Sequence, residues 1–183
     1  MNPRPPLLRS LDPRLKEKIP ARDVQERVAV LAEELNNRYT NEPLVAVGVL
    51  KGAALFYADL VRLLTADLTM DFVRVASYGD AMQSSGSVTL VQDCETSLEG
   101  KHVLLVEDVV DSGLSLRFLL DEFVKRSPLS LTVCALVEKT GNREVEVPVD
   151  HCGFRMRSGF LVGYGMDLAE RYRNLGGIYE IMD

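Results

Sequence analysis

With 183 residues, 46% of them hydrophobic and 26% charged, the chain has the makeup of a soluble globular protein of one domain, long enough to bury a sizeable core. A formal net charge of −6 argues against sequence-independent binding of nucleic acid, which needs a basic footprint. The 3 cysteines, Cys94, Cys134 and Cys152, are widely spaced and form no Cys-x-x-Cys pair, which disfavours a disulfide framework or a zinc site and fits a reducing cytoplasm.

Residues 1–20 carry Pro3, Pro5 and Pro6 and read as a partly unstructured Pro-rich arm, without the sustained apolar stretch of a signal peptide. Residues 21–183 read as a single domain, and no apolar run approaches transmembrane length. Val24, Val28, Leu31, Leu35 and Tyr39 recur at helical spacing and predict an amphipathic helix. Leu44 to Leu50 is a buried-strand pattern ending at Lys51-Gly52, followed by a helix from about Ala53 to Leu64 and a strand from about Leu68 to Val75. The polar stretch Ser77 to Ser87 predicts a long loop, which a compact domain keeps for function, typically as a lid. A strand near Val88 to Gln92 comes next, then the strand opening at Val103, a helix from about Ser115 to Arg126, and a strand at Leu131 to Val137 that ends at Glu138-Lys139. Residues 140–183 are richer in turns and hold an apolar segment at 160–165 and a short one at 167–174. Strands alternating with helices predict an α/β fold with a mostly parallel twisted sheet and right-handed crossovers.

The most informative stretch is Val103 to Leu116, Val-Leu-Leu-Val-Glu-Asp-Val-Val-Asp-Ser-Gly-Leu-Ser-Leu. Its uninterrupted apolar run reads as a central strand covered on both faces. Ligands of open α/β sheets bind beyond the carboxyl ends of such strands, where Glu107, Asp108 and Asp111 are expected. Gly113 allows close approach of backbone to a ligand, and Ser112 and Ser115 bring hydroxyls to a helix N-terminus, a natural seat for a phosphate. Carboxylates suited to hydroxyl groups thus stand beside a phosphate cradle, as a phosphorylated sugar requires. The plainer alternative is a core strand with a solvated acidic end, in which Asp111 merely caps the helix.

This stretch closely resembles the phosphoribosyl-pyrophosphate (PRPP) motif of type I phosphoribosyltransferases, and its Glu-Asp pair is nearest to the hypoxanthine-guanine branch. The resemblance implies the type I phosphoribosyltransferase fold, with a flexible lid at about 77–87 and a small hood drawn mainly from 140–183 and the N-terminal segment. It implies that Glu107 and Asp108 bind the ribose hydroxyls and that Asp111, Ser112, Gly113, Leu114 and Ser115 hold the 5′-phosphate. Leu50-Lys51-Gly52 resembles the family's pyrophosphate loop, which implies a cis Leu50–Lys51 peptide and makes Lys51, Gly52 and Arg173 pyrophosphate ligands. Ser77-Tyr78-Gly79 resembles the mobile lid, with Ser77 and Tyr78 covering the pyrophosphate.

The same resemblance makes Asp111 the general base at purine N7 and sets Lys139 on the 6-oxo group. Residues 160–167, Phe-Leu-Val-Gly-Tyr-Gly-Met-Asp, resemble the purine-stacking segment: Phe160 stacks on the base, the Leu161 backbone meets its 2-position edge, and Asp167 touches Mg²⁺ through water. The implied metal set is Glu107, Asp108 and Asp167, partly through water or PRPP hydroxyls. The implied activity is Mg²⁺-dependent transfer of the 5-phosphoribosyl group from PRPP to hypoxanthine or guanine in purine salvage. Its partners are small molecules, with neither nucleic acid nor membrane, and the assembly is a homodimer or homotetramer. Glu138 before Lys139, Thr140-Gly141-Asn142 and Asp80-Ala81 depart from the usual pattern and bear on base preference and lid behaviour. Two rivals stay open: an RNA-binding regulator of the same fold, against which the acidic charge speaks, and a transferase for adenine or a pyrimidine, against which Lys139 and Phe160 speak.

Overall fold

Two sheets organise the chain in the computed structural model, which describes residues 12–80 and 83–182. In chain order the elements are β1 (Leu15–Ile19), α1 (Ala21–Arg38), β2 (Leu44–Leu50), α2 (Ala54–Val61), β3 (Leu68–Asp80), β4 (Gln83–Gln92), β5 (His102–Val110), α3 (Leu114–Val124), β6 (Ser130–Lys139), β7 (His151–Met156), β8 (Leu161–Val162) and β9 (Ile178–Ile181). The larger sheet has the order β4-β3-β2-β5-β6-β7 and the smaller one β1-β9-β8. In the larger sheet only the β3–β4 pair is antiparallel, so the mostly parallel α/β architecture expected from the alternation of elements is present.

The sheet divides the interior into two cores. Because successive strand residues point to opposite faces, Leu104 and Val106 of β5 join α1 and α2 through Leu31, Leu35, Phe56 and Leu60. Val103 and Leu105 join α3 through Leu116, Leu119 and Phe123 on the other face. Val24, Val28, Leu31 and Leu35 are the buried stripe of α1, and each such side chain contributes about 1.5–3 kcal/mol on burial. An apolar run is what a strand needs when both of its faces are covered, and β2 and β5 have one each.

Several expectations need correction. The end of the expected N-terminal arm is strand β1, which pairs antiparallel with β9 from Leu15↔Ile181 to Ile19↔Ile178. Burial of Ile19 and satisfaction of both strands' backbone groups account for its order; residues 1–11 lie outside the described residues. The expected loop at 77–87 is drawn into a hairpin: β3 runs on to Asp80, with Ser77 opposite Val88 and Tyr78 opposite Ser87. Ala81 and Met82 lie outside the described residues. Strand β7 was not anticipated because it is half-buried at the sheet edge and has no apolar run. The segment expected at 160–165 shortens to β8, since Gly163, Tyr164 and Gly165 all adopt positive φ and turn the chain. Among the described residues no helix is long and apolar enough to cross a membrane.

One register detail builds the site. Strand β5 pairs with β2 only as far as Val106↔Gly48, but continues against β6 to Val110↔Glu138. Glu107 and Asp108 therefore belong to the strand itself rather than lying beyond it, and they emerge where β2 no longer pairs with β5. The Lys51–Gly52 turn fills that space, after a cis Leu50–Lys51 peptide.

Candidate active site

Glu107 and Asp108 are adjacent carboxylates in a protein environment with few donors. Glu107 is buried and its Oε2 has no hydrogen-bond partner. Burial, reinforced by the negative charge of Asp108, raises its pKa well above the ordinary carboxylate value. Burial also pushes Asp108 up to about 6, against the pull of nearby backbone N–H groups and the charge of Arg173. Gly52 packs directly on Asp108: a β-carbon there would lie 2.5 Å from its Cγ and 2.7 Å from its Oδ1. Two successive buried carboxylates, one with an oxygen left unpaired, suit hydroxyl donors, a cation, or both.

Beyond Val110 the chain turns into α3 through Asp111-Ser112-Gly113. Gly113 holds φ at +89°, and a side chain there would collide with the carbonyl oxygen of Val145. The Ser112 hydroxyl accepts the N–H of Leu114 at 3.3 Å, while its carbonyl accepts the N–H groups of Glu144 and Val145 at 2.9 and 3.0 Å. Glu107, Val109 to Gly113, Ser115 and Leu116 line a cavity of about 130 Å³ over the first turn of α3. Unpaired helix N–H groups, two hydroxyls and the helix dipole are features that suit an anion.

A second cavity, of about 190 Å³, is lined by Asp108, Val109, Lys139, Phe160, Leu161, Met166 and Asp167. Lys139, the last residue of β6, is 7% exposed, and its Nζ donates to Asp111 Oδ2 at 3.0 Å. The other Asp111 oxygen is buried without a partner. Phe160 leaves 52% of its surface exposed. An aromatic face and a buried ammonium, itself bonded to a carboxylate, suit a flat ring that carries an acceptor at its edge.

The smaller sheet closes the pocket from above. The turn 163–166 is anchored by Tyr164, whose hydroxyl donates to Asp59 Oδ2 of α2 at 2.6 Å. This brings Gly165 onto the Lys51–Gly52 turn so tightly that a β-carbon would strike the Gly52 carbonyl oxygen. Arg173 donates to the Gly165 carbonyl at 2.7 Å and pairs with Asp167 at 2.8 Å and Glu170 at 3.3 Å. Glu170 reaches across to Lys51 Nζ at 3.2 Å. Both Asp167 oxygens are engaged, one by Arg173 and the other by the Glu170 N–H at 2.8 Å.

The fold thus gathers Glu107, Asp108, residues 111–115, Lys51, Gly52, Lys139, Phe160, Leu161, Asp167 and Arg173 at one end of the sheet. The side chains of Ser77 and Tyr78 lie outside the described set. Among the described residues no three His, Cys, Asp or Glu side chains cluster tightly enough to hold a metal alone. Glu107, whose Oε2 is buried without a partner, and Asp108 next to it fit a hard cation that brings most of its own oxygen ligands. Sequence reading missed Glu170, Tyr164 and Asp59. Their only signal is the density of charged and aromatic residues near the motifs, because their roles arise from tertiary contact.

A phosphoribosyl transferase domain model matches residues 20–168. The chain is 42% identical over 153 residues to the hypoxanthine-guanine phosphoribosyltransferase of Bacillus subtilis, covering 84% of this chain and 85% of that protein. It is 40% identical over 171 residues to the Aquifex aeolicus protein of the same name, covering 93% and 96%. The crystal structure of a hypoxanthine-guanine phosphoribosyltransferase from Bacillus anthracis superposes with a TM-score of 0.87 at 39% identity, over 91% of this chain and 98% of that one.

Proposed function

The chain belongs to the phosphoribosyltransferase family, and from that membership we propose that it transfers the 5-phosphoribosyl group of PRPP to hypoxanthine or guanine. The products are inosine or guanosine monophosphate and pyrophosphate, as purine salvage requires. The observation that carries the choice of base is the Lys139–Asp111 pair, bonded at 3.0 Å beside Phe160. N7 and the 6-oxo group are neighbours on one edge of a 6-oxopurine. A donor lining the pocket, Lys139, and the acceptor bonded to it, Asp111, match that edge, whereas a 6-amino group would face the ammonium.

In this reading Glu107 and Asp108 accept hydrogen bonds from the ribose hydroxyls, and residues 111–115 hold the 5′-phosphate. Phe160 stacks on the base and Leu161 meets its 2-position edge. Lys51, Gly52 and Arg173 receive the pyrophosphate, and Ser77 and Tyr78 close over it. As the purine N9 bonds to the sugar C1, the C1–pyrophosphate bond breaks through an oxocarbenium-like transition state, and Asp111 takes up the proton released at N7. Water would capture such an electrophilic centre, so closure of the site protects the transfer. Mg²⁺, when bound with the substrate, neutralises the leaving pyrophosphate; Glu107 and Asp108, with Asp167 through water, are the residues that would hold it. Lys51 and Arg173 both pair with Glu170, and Arg173 also with Asp167, so pyrophosphate competes with these carboxylates for the two cations.

Three free cysteines agree with a cytoplasmic setting, and the working unit is a homodimer or homotetramer. Initial rates with Mg²⁺, PRPP and each of hypoxanthine, guanine, xanthine, adenine and uracil test the proposal. Turnover is expected with hypoxanthine or guanine and not with adenine or uracil; no turnover with any 6-oxopurine would overturn it.

A further inference from the structure

The cavity over α3 lacks a cation for the group it is built to hold. Its charged lining residues, Glu107 and Asp111, are both acidic, and Asp111-Ser112-Gly113-Leu114-Ser115 contains no basic side chain. The helix N-terminus supplies the equivalent of about half a positive charge, against nearly two negative charges on a phosphate monoester at neutral pH.

Arg143 stands directly behind this loop. Its side chain is 10% exposed, and Nη2 donates to Glu138 Oε1 at 3.0 Å. Its Nη1 is buried and has no partner, although an unmet buried donor is costly. That nitrogen faces the loop: a β-carbon on Gly113 would lie 3.4 Å from it. The Glu144 and Val145 N–H groups, bonded to the Ser112 carbonyl, fix the segment against the loop. Glu138 does not cancel the charge of Arg143, because its second oxygen accepts Arg155 Nε at 3.0 Å. One carboxylate between two guanidinium groups leaves a net positive charge beside Gly113.

We propose that Arg143 is the cation of the 5′-phosphate site, its free Nη1 opposing the phosphate charge across Gly113. Glycine is required there for a second reason, since any side chain would separate the two charges. Glu138 acts through Arg143 as a positioning residue. This inference rests on the phosphoribosyl reading above and deepens it.

Calorimetric binding of inosine monophosphate and of inosine, which lacks only the phosphate, separates the phosphate term from general damage to the pocket. Arg143→Gln should weaken inosine monophosphate by about 10- to 100-fold, the scale of a lost Coulombic interaction between partly buried charges. Inosine should bind within about twofold of wild type, since its contacts are untouched. Arg143→Lys should recover most of the nucleotide affinity. Should Arg143→Gln fail to fold, the Arg143→Gln, Glu138→Gln double variant leaves no unpaired buried charge and carries the same comparison. Equal weakening of both ligands, or undiminished nucleotide binding, would overturn the role of Arg143. Failure of the wild-type protein to bind inosine monophosphate would overturn the phosphoribosyl reading itself.

Discussion

Replacing Gly52 by alanine probes the contact on which the sugar end of the site depends. The added methyl would sit 2.5 Å from Cγ and 2.7 Å from Oδ1 of Asp108, inside the separation that real carbon–oxygen contacts keep. The methyl has no way out on its other side, where the Gly52 carbonyl is held under Gly165. Asp108 must therefore move, or the turn must shift away from β5. Overpacking of this kind costs about 1–3 kcal/mol, and each kcal/mol lowers the melting temperature of a domain this size by about 2–4 °C. The functional loss should be larger, because displacement of a binding group by about 1 Å can cost about 100-fold in rate. Thermal unfolding and steady-state kinetics with PRPP varied measure both quantities on one preparation. A variant with wild-type melting temperature and an unchanged KM for PRPP would refute the packing of Gly52 on Asp108.

Other expectations follow from the same geometry. Glu107→Gln should abolish PRPP-dependent turnover yet stabilise the free protein at pH 7. Because the folded pKa of Glu107 is raised by burial and by Asp108, the unfolded chain ionises first, and this group lowers stability as pH rises through its ordinary value of 4.5. Urea unfolding between pH 4 and 7 should show that slope weakened in the variant; an unchanged slope would contradict the assignment. Lys139→Gln should raise the adenine-to-hypoxanthine ratio of kcat/KM by about 10- to 100-fold, the range of a hydrogen bond to a charged group, and an unaltered ratio would remove Lys139 from base selection. Asp111→Asn should lower kcat by about 100-fold or more, as expected for loss of a general base, with KM for PRPP nearly unchanged. A lower PRPP affinity at wild-type kcat would instead make Asp111 a loop residue.

The central strands were legible because β2 and β5 are buried on both faces, and such burial leaves an uninterrupted apolar run in the sequence. The helix α1 was legible for a related reason, as its buried stripe repeats every three or four residues. β1, β7 and β9 were not, since β1 and β9 are short and β7 is a half-covered edge, and their order comes from pairing across the fold. The extension of β3 and β4 through the polar stretch was hidden because ladder hydrogen bonds are independent of side-chain polarity. At the site, the motif residues were legible as types, while their partnerships were not. Asp111 and Lys139 are 28 positions apart, and nothing local foretells that they bond. Arg143 reads as a surface arginine after a turn; only the folded chain buries its guanidinium behind Gly113.

The account is tested most directly by ³¹P NMR of the protein mixed with PRPP, hypoxanthine and Mg²⁺. The signals of pyrophosphate and of a nucleoside monophosphate should rise together, in equal amounts, as those of PRPP fall. Loss of PRPP without a nucleotide signal, or no change at all, would contradict it.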